Sequence, residues 1–108
     1  MANEPEIITR YLKAADARDA DAVTASFTED GTVTDEGKTY HGRDEIRDWR
    51  ENNSQFDYTT AVTGSDQAAD GTYRVTTHIE GNFPGGAADL SYAFTLRDGL
   101  IADLTILQ

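Results

Sequence analysis

Two side chains in the first third of the chain are of types that move protons: Tyr11, a phenol, and Asp35, a carboxylate. Tyr11 falls on the apolar stripe of a first helical segment. Asp35 closes the strand-like run Thr32-Val33-Thr34-Asp35. If both face one apolar cavity, they are the minimum equipment for taking a proton from a carbon beside a carbonyl and holding the charge left on its oxygen. Each also has a plainer reading. An aspartate before Glu36-Gly37 is ordinary turn chemistry, its carboxylate capping backbone amides. A core tyrosine commonly gives its hydroxyl to any buried acceptor. Strand parity favours the cavity for Asp35, which shares a face with Val33, the expected inward residue.

The elements that must position this pair are legible from periodicity. Residues 5–17 predict an amphipathic helix, with Ile7, Ile8, Tyr11, Leu12 and Ala15 at helical spacing. Asp19 predicts an N-cap for a short second helix carrying Ala22, Val23, Ser26 and Phe27, broken by Glu29-Asp30-Gly31. A strand pair follows, Gly31–Asp35 and Lys38–His41, joined through Glu36-Gly37. Gly42 opens a third helix, with Asp44 and Glu45 suited to its positive end and Ile46, Trp49 and Asn53 on one face. Beyond it, runs 56–64, 71–82, 88–97 and 100–107 alternate as strands, with turns at Ser65–Asp70, Asn82–Gly86 and Arg97-Asp98-Gly99. Tyr73, Val75, Thr77 and Ile79 share one face; Thr72, Arg74, Thr76, His78 and Glu80 share the other. Helices early and antiparallel strands late predict an α+β fold, one domain over residues 1–108.

Bulk composition excludes more than it selects. A formal charge of −11 and a pI near 4.3 disfavour nucleic acid, whose phosphates need Lys and Arg, and also anionic lipid surfaces. The chain has no cysteine, hence no disulfide and no thiolate chemistry. The two histidines, His41 and His78, lie on separate elements, so no metal-site spacing arises. No glycine-rich phosphate loop follows a strand, and no serine has a nucleophile-elbow context. No cofactor is expected. With neither a spanning apolar run nor a leader-like start, the expected location is the cytoplasm.

The strings Ile8-Thr9-Arg10-Tyr11-Leu12, Ala25-Ser26-Phe27-Thr28-Glu29-Asp30-Gly31-Thr32-Val33-Thr34-Asp35 and Tyr40-His41-Gly42-Arg43-Asp44-Glu45-Ile46 resemble the nuclear transport factor 2-like superfamily. That superfamily includes the ketosteroid isomerases and the SnoaL-like polyketide cyclases. The resemblance covers essentially the whole chain. It implies a cone-shaped, curved antiparallel or mixed sheet with three N-terminal helices on its concave face, a cystatin-like roll. It also implies that Tyr11 matches the oxyanion donor and Asp35 the base of the isomerases. Their second donor, a protonated aspartic acid, is matched here by Tyr92, two residues before Phe94.

On this resemblance the leading expectation is a cofactor-free isomerase or cyclase acting on a small apolar molecule. Asp35, Tyr11 and Tyr92 would be its catalytic groups. Its cavity walls would come from Val23, Phe27, Val33, Trp49, Val62, Val75, Phe94 and Leu104. A non-catalytic binding or dimerisation module is the alternative, since one fold hosts many functions. A dehydratase or hydrolase is a third, and it needs His78 to face inward, whereas strand parity puts His78 outward. Phe83 in the loop Asn82–Gly86 could close a cavity mouth. A homodimer through the outer sheet face, around Thr72, Arg74, Thr76 and His78, is expected on any of these readings.

Overall fold

The computed structural model describes residues 5–52, 58–82 and 84–107. The expectations for Asn53, Phe56 and Phe83 lie outside those residues. Three helices, α1 (Glu6–Asp16), α2 (Ala20–Ala25) and α3 (Gly42–Asn52), are interleaved with six strands. The strands are β1 (Phe27–Asp35), β2 (Lys38–His41), β3 (Tyr58–Gln67), β4 (Tyr73–Gly81), β5 (Ala87–Arg97) and β6 (Leu100–Leu107). The α+β class is as predicted, and the element bounds shift by only a few residues.

Local chemistry sets the helix starts. The Asp19 side chain accepts from the Ala22 backbone N–H at 3.1 Å, the capping bond its type predicts. At α3, Gly42 turns the chain with φ +79°, and the Glu45 carboxylate reaches back to the His41 backbone N–H at 2.9 Å. Arg43 donates to the Phe27 carbonyl through Nε at 3.2 Å and Nη2 at 2.7 Å, tying α3 to the start of β1. Asp16, ending α1, accepts from the Thr60 hydroxyl at 2.7 Å and so fixes α1 to β3.

The strands form one sheet in the order β2-β1-β6-β5-β4-β3, parallel between β1 and β6 and antiparallel elsewhere. Its cross-strand rows define the buried face. Asp35, Ile106, Tyr92 and Val75 form one row, and Val33, Leu104, Phe94 and Tyr73 the next. Val33, Phe94, Leu104 and Val75 are fully buried, packed with Ile8, Tyr11 and Val23 from the helices and with Ile46 and Trp49 of α3. The opposite face carries Thr34, Thr105, Ser91, Arg74 and Thr76.

One expectation is overturned. The sheet is not the cone of a strongly curved roll: it is open, neither closed nor strongly curled. The four-residue β2 and the ten-residue β3 are its two edges, four strands apart and unpaired with each other. Curling a sheet into a cone must bring its edges round towards one another. The register shifts at Val62/Gly64 and Thr95/Leu96 are local and do not do this. The helices therefore cover one side of an open sheet rather than fill a concavity.

A smaller difference concerns β1. Its regular pairing covers Thr32–Asp35 much as predicted, but the strand begins at Phe27, which was expected on the second helix, and takes in Glu29-Asp30-Gly31, expected as a break; between Phe27 and Thr32 five steps of β1 oppose two of β6. Gly31 sits in this irregular stretch because a Cβ there would meet the Thr28 carbonyl oxygen at 3.1 Å and Phe27 Cβ at 3.2 Å.

Candidate active site

Asp35 stands at the last paired position of β1, where the turn through Glu36 (φ 54°) and Gly37 (φ 79°) begins. Its Oδ2 accepts from Trp49 Nε1 at 3.0 Å. Indole is a donor only, so this bond engages one carboxyl oxygen as an acceptor and leaves the other for further work. Periodicity put Trp49 inward as a wall; the structure adds that it orients the carboxylate.

Tyr92 lies in the same row as Asp35, two strands away, which separates their backbones by roughly 9–10 Å at ordinary strand spacing. Tyr11 descends on this region from α1. Its ring meets Phe27, Phe94 and Tyr92 edge-on at centroid distances of 5.9, 5.8 and 6.5 Å. Burial pushes the Tyr11 hydroxyl well above its usual pKa, with Tyr92 adding to the rise and the Arg50 charge opposing it. Burial likewise raises Tyr92. Both phenols are therefore neutral O–H donors throughout the accessible pH range. Among the described residues no hydrogen bond joins Tyr11 to Asp35: each is free of the other to meet a third group.

The sequence-derived walls divide. Val23, Phe27, Val33, Val75, Phe94 and Leu104 are wholly buried around this centre. Val62 pairs with inward Thr77 yet is 43 % exposed, because β3 is an edge strand. Asp35 also lines a surface hollow of about 380 Å³ with Glu36, Gly37, Ile106 and Leu107; neither tyrosine borders it. His78 is on the outer face, its Nδ1 2.7 Å from Asp89 and its Nε2 3.2 Å from Glu80. Those carboxylates, Asp89 foremost, raise its pKa above the ordinary 6.5. An inward catalytic histidine is thus absent at this position. Among the described residues no group of three or more His, Asp or Glu side chains could hold a metal ion, and no helix is long and apolar enough to cross a membrane.

Sequence reasoning missed Arg50. It is only 5 % exposed, its Nη2 donates to the Tyr58 hydroxyl at 2.8 Å, and its guanidinium lies 5.0 Å from the Trp49 ring centre. The signal was present in the spacing: Arg50 follows Ile46 by four residues and so shares its helix face.

The order of elements, the mixed open sheet and the helix-covered face define the nuclear transport factor 2-like superfamily. Within it, a SnoaL-like domain model matches residues 8–104, and the chain belongs to that family. A candidate polyketide cyclase from Sinorhizobium meliloti is similar at 32 % identity and TM-score 0.87, over 97 % of this chain and 96 % of the other. The epoxide hydrolase/cyclase-like enzyme SalBIII, of pyran ring formation in salinomycin, is similar at 25 % identity and TM-score 0.82, over 94 % and 87 %. A protein of ketosteroid isomerase-like fold from Catenulispora acidiphila, in complex with trimethylamine, shares 22 % identity and TM-score 0.86 over 98 % and 87 %, which bears on fold alone. Comparison with curated proteins gives no match.

Proposed function

We propose that the chain is a cofactor-free enzyme of the isomerase or cyclase type, acting on a small, largely apolar carbonyl compound. Asp35 removes a proton from the carbon beside the carbonyl; Tyr11, with Tyr92, donates hydrogen bonds to the oxygen as it becomes an enolate. The proton returns from Asp35 to another carbon in an isomerisation; in a cyclisation the enolate carbon bonds to a second carbonyl carbon of the same molecule, whose C=O π bond breaks as its oxygen takes the proton back from Asp35. The observation that carries this reading is the Trp49–Asp35 bond: the base is held by a donor-only group beside a core that buries two phenols, Tyr11 and Tyr92. The similarity to a candidate polyketide cyclase and to a cyclase-like enzyme supports the same class.

The test is exchange of carbon-bound protons for deuterium in a panel of cyclic ketones and 1,3-diketones, followed by NMR. Wild-type protein should accelerate exchange in at least one compound. Asp35→Asn should lose about 10²–10⁴-fold of that rate with its melting temperature nearly unchanged. Normal exchange by Asp35→Asn would end the mechanism.

A second reading, a non-catalytic binding module, draws on the rings of Phe27, Tyr92 and Phe94 packed around Tyr11, which fill with protein a volume a substrate would need. No exchange with any compound of the panel would favour it. On either reading the protein pairs with a second copy through the exposed outer face around Arg74, Thr76 and His78. A monomer by light scattering at micromolar concentration would count against that.

A further inference from the structure

Arg50 is the charged group that the proposed mechanism leaves unused. Helical spacing turns it inward beside Trp49, and it is almost wholly buried. Of the five N–H donors on a guanidinium, one goes to Tyr58, and the Nε–H has no partner. Among the described residues no carboxylate pairs with it, in a chain with 20 acidic against 9 basic side chains. Its neighbours Tyr11, Tyr58 and Tyr92 are phenols, which offer hydrogen bonds and not the charge of a carboxylate. A guanidinium does not lose its proton in a protein. A buried cation without a counter-ion is costly to hold, and such groups cluster where a ligand completes them.

We propose that Arg50 determines specificity by binding an anionic group on the ligand. The substrate class is then a small oxo acid: a carboxylate seated on Arg50, and on the same molecule the carbonyl whose neighbouring proton Asp35 removes. The proposal rests on the function put forward above. One indole links the two charges, its N–H on Asp35 and its ring against the Arg50 guanidinium. Two consecutive residues of α3 thus place the base and the anion anchor at a fixed separation. A carboxylate can take two parallel N–H donors from a guanidinium, which sets its plane as well as its position. An amide or ester of the same shape has no charge to offset that of Arg50.

Trp49 is the chain's single tryptophan, so its emission reports on ligands bound beside Arg50. The probes are cyclohexylacetate and its neutral isostere cyclohexylacetamide. Wild-type protein should bind the acid at least about tenfold more tightly than the amide. Arg50→Met should erase that preference while melting at the same temperature or higher, because an unpaired buried charge has gone. Arg50→Lys should keep part of it. Equal affinity for acid and amide in the wild type overturns the proposal, as does a preference that survives in Arg50→Met. If Arg50→Met fails to fold, the wild-type pair and Arg50→Lys still decide the matter. Asp35→Asn separates this proposal from the mechanism. It should strengthen acid binding by removing a like charge, so acid preference with undiminished exchange in Asp35→Asn sinks the mechanism alone. Exchange lost in Asp35→Asn without any acid preference in the wild type sinks the Arg50 assignment alone.

Discussion

The two sides of the sheet treat a positive charge in opposite ways. On the outer side, half-exposed His78 lies between two carboxylates, Asp89 across the strand pair and Glu80 along its own strand. On the inner side, buried Arg50 has no carboxylate among the described residues, only a phenol and an indole face. Water already stabilises a charge on the outer side, so the His78 cluster adds little there. Inside, where a partner would matter most, the described residues place no carboxylate in an ion pair with Arg50. The contrast is what the proposed anion-binding role of Arg50 would account for.

That contrast can be broken by substitution. The largest effect should come from Phe94→Ala, which empties a fully buried ring site at the centre of the inner row and should cost about 3–5 kcal/mol in chemical denaturation. Its outward neighbour Thr95, changed to Ala, should stay within about 0.5 kcal/mol. Similar costs for the two would mean that the faces do not differ as described. Next, Tyr11→Phe should lower the exchange rate about 10²–10³-fold while leaving stability close to wild type, since the ring contacts remain. A loss of stability without a loss of rate would reassign Tyr11 to packing.

Two smaller effects sharpen the picture. Trp49→Phe keeps an aromatic ring but deletes the N–H and part of a buried indole, and should cost about 2–3 kcal/mol. In a double-mutant cycle with Asp35→Asn that cost should shrink, because the bond is shared. Strict additivity would show the bond to be energetically silent. Last, the His78 signal followed by NMR should titrate above 6.5, and Asp89→Asn should bring it down. The sign follows from the raised value: whatever the cluster contributes to stability is complete below the unfolded-state pKa and lost as pH rises through the folded one. A His78 titration that ignores Asp89→Asn would remove the cluster from the argument.

What the sequence disclosed follows the range of each interaction. Asp19, Gly42 and the Glu36-Gly37 turn act within a few residues, so their types announce them. Strand alternation correctly separated Val75 and Thr77 from Arg74 and Thr76, because pleating has a fixed period. Sheet shape was not legible: alternation says which residues face together, not how far the edges travel. The exposure of Val62 was hidden for the same reason, since it depends on β3 being an edge. Arg50 was passed over because arginine on an amphipathic helix ordinarily extends to solvent; its burial against Trp49 and its bond to Tyr58 are tertiary facts.

The open sheet has one more consequence. Within the described sheet β3 pairs with one strand only, and a ten-residue edge strand is a template on which another chain could build by backbone pairing, although here the Thr60 N–H is already held by Asp16. The shift at Val62/Gly64 interrupts that template near its middle, and the position is tight: a Cβ on Gly64 would stand 3.0 Å from the Thr76 hydroxyl. Neither half of β3 offers a long regular ladder for a visiting strand. The irregularity that looks like a flaw in the pairing therefore shortens the regular ladder that an edge-to-edge contact between copies could use.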